Sequence, residues 1–171
     1  KVVWVGDGAP WIWNVADELC PKAVHILDWY HAVEAASTAA KAVFGPACPC
    51  TELLVSRVSM LLRMGDVDEV LSELEACLFL TRVAAARAAL KTLIGYYTKN
   101  KSRMDYLSFV ANGYPIGSGF VEAANKHVIQ ARMKLAGQHW DTHRADRMAN
   151  LRALLATTGP TRLHRAISAA A

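Results

Sequence analysis

A chain of 171 residues with 53% hydrophobic side chains is long and apolar enough for one ordinary domain with a sizeable core, which excludes a disordered linker. It shows neither a signal-peptide layout nor a run of eighteen apolar residues, so it reads as cytoplasmic, without a membrane partner. Its start at Lys1, inside an apparent strand, reads as a cut from something longer. The net charge of +4 is uneven: residues 1 to 98 carry eight basic and eleven acidic side chains (−3), residues 99 to 171 eleven basic and four acidic (+7). That asymmetry suits a second half lying against a polyanion, and it equally suits a solvated basic surface.

Val2 to Val5 is a β-branched and aromatic run ended by Gly6-Asp7-Gly8, the composition of a buried strand entering a turn. Pro10 then opens a helix whose expected core face is Trp11, Ile12, Val15 and Leu19, stopped by Pro21. A second strand, Ala23 to Leu27, ends at Asp28. A strand, helix, strand unit of this length predicts a right-handed crossover with parallel strands, and so places Asp7 and Asp28 at the same sheet edge. Open α/β sheets hold their sites there.

From His31 to about Thr98 the apolar spacing is helical, with breaks at Phe44 to Cys50 and at Gly65-Asp66. Val67, Val70, Leu71, Leu74 and Leu78 mark one helix, and Val83, Leu90, Leu93, Ile94 and Tyr97 the next, with their junction near Leu80 to Arg82. The cysteines, Cys20, Cys48, Cys50 and Cys77, form no C-x-x-C pair. They read as free thiols, the other reading being Cys48 and Cys50 joined with Cys20 around a metal.

After the break at Asn112-Gly113-Tyr114-Pro115, a Gly-Ser-Gly turn opens a helix on which Val121, Ala124, Val128, Ala131 and Leu135 recur at steps of three and four, the pattern of a buried stripe. Glu122, Lys126 and Met133 face the other way. Glu122 is then either a chemical group on a rigid support or half of an ordinary surface pair with Lys126. A last helix is predicted from about Asp141, with Met148, Leu151, Leu154 and Leu155 turned inward and Gly159-Pro160 at its end. The tail to Ala171 is left as frayed or a short helix.

Taken together, G-D-G-A-P-W-I-W at 6 to 13, D-W-Y-H-A at 28 to 32, P-I-G-S-G-F-V-E at 115 to 122, R-M-K at 132 to 134 and G-x-x-W at 137 to 140 resemble the DDE transposases of bacterial insertion sequences, specifically the Kra-type group. The resemblance covers nearly the whole chain. It implies an α/β, mostly helical fold: a partial RNase H-like core at 1–34, a large all-α insertion at 35–110 and C-terminal core helices at 111–171. It implies that Asp7 and Glu122 are the second and third catalytic acids and metal ligands, with the first Asp upstream. Asp28 and His31 take an accessory role, their ordinary alternative being a helix cap and a hydrogen-bonded histidine. Lys126, Arg132, Lys134 and Trp140 are assigned to DNA.

The implied chemistry is DNA strand cleavage and joining, an in-line displacement at phosphorus assisted by two Mg²⁺ (or Mn²⁺) ions roughly 3.5–4 Å apart and held by carboxylates. The implied partners are transposon-end and target DNA and, in the active complex, further copies of the chain. With two of three ligands, residues 1–171 alone are predicted inactive. The sequence departs from the family where a second histidine is usual after Glu34 and has Ala35, and where an arginine is usual before Trp140 and has His139. Two rivals stand beside this reading: a non-catalytic helical DNA-binding or assembly module derived from a transposase, and a haloacid dehalogenase-like phosphatase suggested by Val5-Gly6-Asp7-Gly8-Ala9 alone. Trp4 and Trp11 are expected in the core, and Trp29 and Trp140 near DNA.

Overall fold

The computed structural model describes residues 1–169, with the side chains of Phe120, Thr158 and 160–169 outside that description. It divides into two compact units, Lys1–Ser118 and Gly119–Ala171. The protein is mostly helical with one small parallel sheet among the described residues. The last two residues of the tail lie outside the described residues. No helix among the described residues is long and apolar enough to cross a membrane.

In the first unit, β1 (Val3–Gly6) and β2 (Val24–Leu27) pair in parallel with Gly6 opposite Leu27, joined by α1 (Pro10–Leu19). The strands stop together, so the acid after each one, Asp7 and Asp28, leaves the sheet at one edge. Four helices follow: α2 (Trp29–Phe44), α3 (Pro49–Arg63), α4 (Val67–Leu80) and α5 (Ala84–Asn100). The breaks fall where Gly45, Pro49 and Gly65 require them, and α4 gives way to α5 across Thr81 to Val83. A 3₁₀ turn (Lys101–Arg103) leads to the short α6 (Tyr106–Ala111).

These helices pack against the sheet. Ile26 and Leu27 of β2 and Trp13 of α1 share one apolar cluster with Val58 and Leu62 of α3, Val70 and Leu74 of α4, and Leu90 and Leu93 of α5. Two buried hydroxyls fasten that packing to the backbone: Tyr97 donates to the carbonyl of Ala32 at 2.8 Å, and Tyr106 to that of Leu27 at 3.0 Å.

The face of α1 differs from expectation. Trp13 and Ala16 are buried, Ile12 and Val15 are half-buried, and Trp11 is 66% exposed, as is Leu19. Trp13 wins the core place because its ring stacks on His25 of β2 at 5.6 Å and takes the Arg103 guanidinium at 4.6 Å on its face. Val83 is exposed as well, because it precedes the first turn of α5.

The second unit begins with α7 (Gly119–Ala124), continues through a π-helical stretch (Asn125–Gln130) into α8 (Ala131–Met133), and ends with α9 (Thr142–Ala169). The stripe expected on its first helix is not buried: Val121 is 65% exposed, Leu135 51%, and only Val128 is half-buried. The wider π turn moves Ala131 and Leu135 off the face that a regular 3.6-residue period defines, whereas Val121 and Ala124 precede it and are exposed independently of it. Leu151, Leu154 and Leu155, expected to point inward on α9, are exposed, and Met148 is half-buried. Asp141 caps α9 by accepting from the backbone N–H of Arg144 at 3.0 Å. Gly159, at φ 74° and ψ 166°, interrupts it where Gly159-Pro160 marks its end in the sequence.

Candidate functional site

The turn after β1 carries Asp7, an exposed carboxylate. Its Oδ1 accepts from the backbone N–H of Ala9 at 2.9 Å, and its main-chain carbonyl accepts from the Tyr96 hydroxyl at 2.7 Å. Gly8 makes this possible: its φ is +93°, and a Cβ there would lie 2.7 Å from the Tyr96 ring and 2.9 Å from Leu27.

The turn after β2 is built the opposite way. Asp28 is fully buried and caps α2, its Oδ1 accepting from the His31 backbone N–H at 3.0 Å. His31 Nδ1 lies 3.1 Å from that same oxygen but off the line of a hydrogen bond, a contact that becomes an ion pair when the ring is protonated. Asp28 Oδ2 accepts from the backbone N–H of Ser118. Burial alone would push the Asp28 carboxyl up, yet the Ser118 hydroxyl, the two backbone N–H groups and the His31 ring outweigh it and hold the carboxyl below its ordinary value.

The Pro-Ile-Gly-Ser segment is therefore docked onto α2. The Trp29 backbone N–H donates to the Ile116 carbonyl at 2.8 Å, and a Cβ at Gly117 would sit 3.0 Å from the Tyr30 ring. A side chain there would have to displace the exposed Tyr30 ring by a few tenths of an ångström.

Between α2 and α5, beside the Asp7 turn, an open cleft of about 470 Å³ is lined by Asp7, His31, Glu34, Thr38, Leu93 and Tyr96 among others. Ala35 also lines it and faces the cleft with a methyl group. Sequence reasoning singled out Asp7, Asp28 and His31 and missed Glu34, Tyr96 and Ser118 as site residues. Glu34 lies three residues after His31 on one helix face, a signal that was present. Ser118 lies inside P-I-G-S-G-F-V-E, where the sequence signals only a turn. Tyr96 had no signal: the apolar spacing assigns Tyr97 to the core, and nothing in it says that Tyr96 meets the turn after β1.

Glu122 is exposed in the first turn of α7, in the second unit. In that unit Lys126, Arg132 and Lys134 are exposed, the Arg132 guanidinium lies 5.6 Å from the Trp140 ring centre, and Trp140 is half-buried. Arg152 of α9 donates to the carbonyls of His127, at 2.8 Å, and Val128, which ties α9 to the π-helical stretch. Trp29, by contrast, is buried between the Tyr106 ring and the Arg63 guanidinium and is not available to DNA.

No family model matches the chain, and neither a curated protein nor a solved structure matches it. As a metal ligand Asp7 has suitable chemistry: a hard oxygen donor, exposed, with Oδ1 held by Ala9 and Oδ2 without a partner among the described residues. No three His, Cys, Asp or Glu side chains among the described residues converge to hold an ion.

Proposed function

We propose that this chain is part of a DDE-type DNA transposase with an RNase H-like catalytic core, acting on transposon-end and target DNA. The observation that carries the reading is the docking of Ser118, four residues before Glu122, onto Asp28, whose strand pairs with the one that ends in Asp7. Asp28 of one motif and Ser118 of another thus meet within the first unit, beside the edge where open α/β sheets hold their chemistry.

In this reading Asp7 and Glu122, with an Asp supplied from outside residues 1–171, hold Mg²⁺ or Mn²⁺. The bound ions supply charge stabilisation to the attacking and leaving oxygens at phosphorus. His31 lines the cleft with Nδ1 turned to Asp28, which leaves Nε2 as the nitrogen able to hold or pass a proton there. Lys126, Arg132 and Lys134 orient the duplex through its phosphates, and Trp140, stacked with Arg132, offers a flat surface beside them.

The test is Mg²⁺-dependent cleavage and joining of transposon-end DNA by the full-length protein beside Asp7→Ala and Glu122→Ala. Each variant is expected to lose activity by at least about a hundredfold while keeping its DNA affinity. Full activity in both folded variants overturns the reading. DNA binding without cleavage in the unaltered protein, at any metal concentration, favours the non-catalytic module.

A further inference from the structure

We infer that Tyr96, carried by a helix of the segment between the two acid motifs, is a positioning residue that fixes the Asp7 carboxylate for metal binding; this rests on the reading of Asp7 as a metal ligand. The hydroxyl donates to the Asp7 carbonyl at 2.7 Å, across 89 positions of sequence. The ring lies against Gly8, where a Cβ would come within 2.7 Å of Cε2 and 3.0 Å of the hydroxyl oxygen. Both observations place Tyr96 on the turn itself and not merely beside it.

The turn is held on three sides. Before it, the Gly6 carbonyl accepts from the Asp28 backbone N–H at 2.7 Å. Within it, Ala9 N–H takes Asp7 Oδ1 at 2.9 Å. From outside it, Tyr96 takes the Asp7 carbonyl. The first two restraints belong to the strand-helix-strand unit, but a glycine at φ +93° follows Asp7, and the peptide joining them swings easily unless its carbonyl is held. Tyr96 supplies that hold.

The support behind Tyr96 is rigid. Leu90, Leu93 and the ring of its neighbour Tyr97 are buried in the cluster that holds α5 against the rest of the core, so the rotation of α5 is set by packing that does not depend on one hydroxyl. The helical segment therefore does more than separate the acids: it reaches back and sets the orientation of one of them.

The experiment is a Mn²⁺ and Mg²⁺ titration of DNA-end cleavage by the full-length protein, comparing Tyr96→Phe, Tyr97→Phe and Asp7→Ala. Tyr96→Phe keeps the ring and removes only the hydroxyl. It is expected to raise the half-saturating metal concentration about fivefold to tenfold, the scale of one hydrogen bond's net effect, while the rate at saturating metal stays within about twofold. Tyr97→Phe removes a hydroxyl from the same helix and is expected to lower thermal stability without moving the metal half-saturation, which separates positioning from general loosening of α5. An unchanged half-saturation in Tyr96→Phe, with Asp7→Ala inactive, overturns this inference alone. An equal shift in Tyr97→Phe also overturns it. Full activity in Asp7→Ala overturns the functional reading and this inference with it.

Discussion

The carboxylate of Asp28 holds the backbone of Ser118 across 90 positions of sequence. One buried side chain thereby caps α2, carries the contact with His31 of that helix and anchors the Gly-Ser loop, so two segments depend on a single acid. Replacing it by alanine leaves the His31 and Ser118 N–H groups without their acceptor. Asp28→Ala is expected to destabilise the protein by about 2–4 kcal/mol, combining a lost cap with unsatisfied buried donors. Asp28→Asn, which keeps the shape and one acceptor oxygen, should cost less. Urea denaturation of the two variants checks the order, and equal stability of Asp28→Ala and the unaltered protein would refute the anchor.

The same carboxyl sets an acid limb of stability. Its folded value is depressed below 3.8, so its contribution is complete above that value and is lost as pH falls through the folded one. Asparagine at 28 has no proton to take up. With His31→Gln in both proteins, so that no ring faces this carboxyl, the stability gap between Asp28 and Asp28→Asn should therefore be flat from neutral pH down to about 5 and shrink below the ordinary carboxyl range. A gap that widens on acidification would show that burial, and not the donors, controls this group.

Two tyrosines distinguish buried hydroxyls from exposed apolar surface. Tyr106→Phe and Tyr97→Phe each leave a buried carbonyl, of Leu27 or Ala32, without its partner, and each should cost about 1–2 kcal/mol. Val121→Ala, at a position the sequence pattern assigns to a core stripe, should change stability by no more than about 0.5 kcal/mol because the side chain is exposed. Thermal melts of the three variants test this. A large loss from Val121→Ala would restore the stripe.

Much of the fold was legible because local chemistry dictates it. The β-branched runs before Asp7 and Asp28, and the glycines and prolines near 45 to 49 and at 65, leave few choices for where strands and helices stop. The face of α1 was not legible, because Trp11-Ile12-Trp13 offers two aromatic residues to one core and only the distant Arg103 and His25 decide between them. The π-helical stretch was invisible for a related reason: the apolar spacing of 121 to 135 fits a regular helix, and nothing in it announces an i to i+5 turn. The site shows the same division. Asp7, Asp28 and His31 sit in strand-end motifs and could be named from sequence, whereas the hold of Tyr96 on Asp7 and of Asp28 on Ser118 depends on packing between segments about ninety positions apart.

The basic second half provides the last prediction. Lys126, Arg132 and Lys134 are exposed, and the proposed role for each is contact with DNA phosphates, whose neutralisation releases counterions. If each makes one such contact, alanine at any of them should weaken binding at low salt and make the slope of log affinity against log salt shallower by about 0.9. Sequence preference should be unchanged, because phosphate contacts carry no base information. Arg132→Ala should cost more than either lysine, since it also removes the cation over the Trp140 ring. Lys22→Ala is the control: it removes the same charge from an exposed position near the start of the chain and should leave the slope within about 0.3 of the original. Fluorescence anisotropy with duplex DNA across a salt series measures all four variants. Equal slopes for all of them would mean that the basic surface is merely solvated and that DNA, if bound at all, lies elsewhere on the protein.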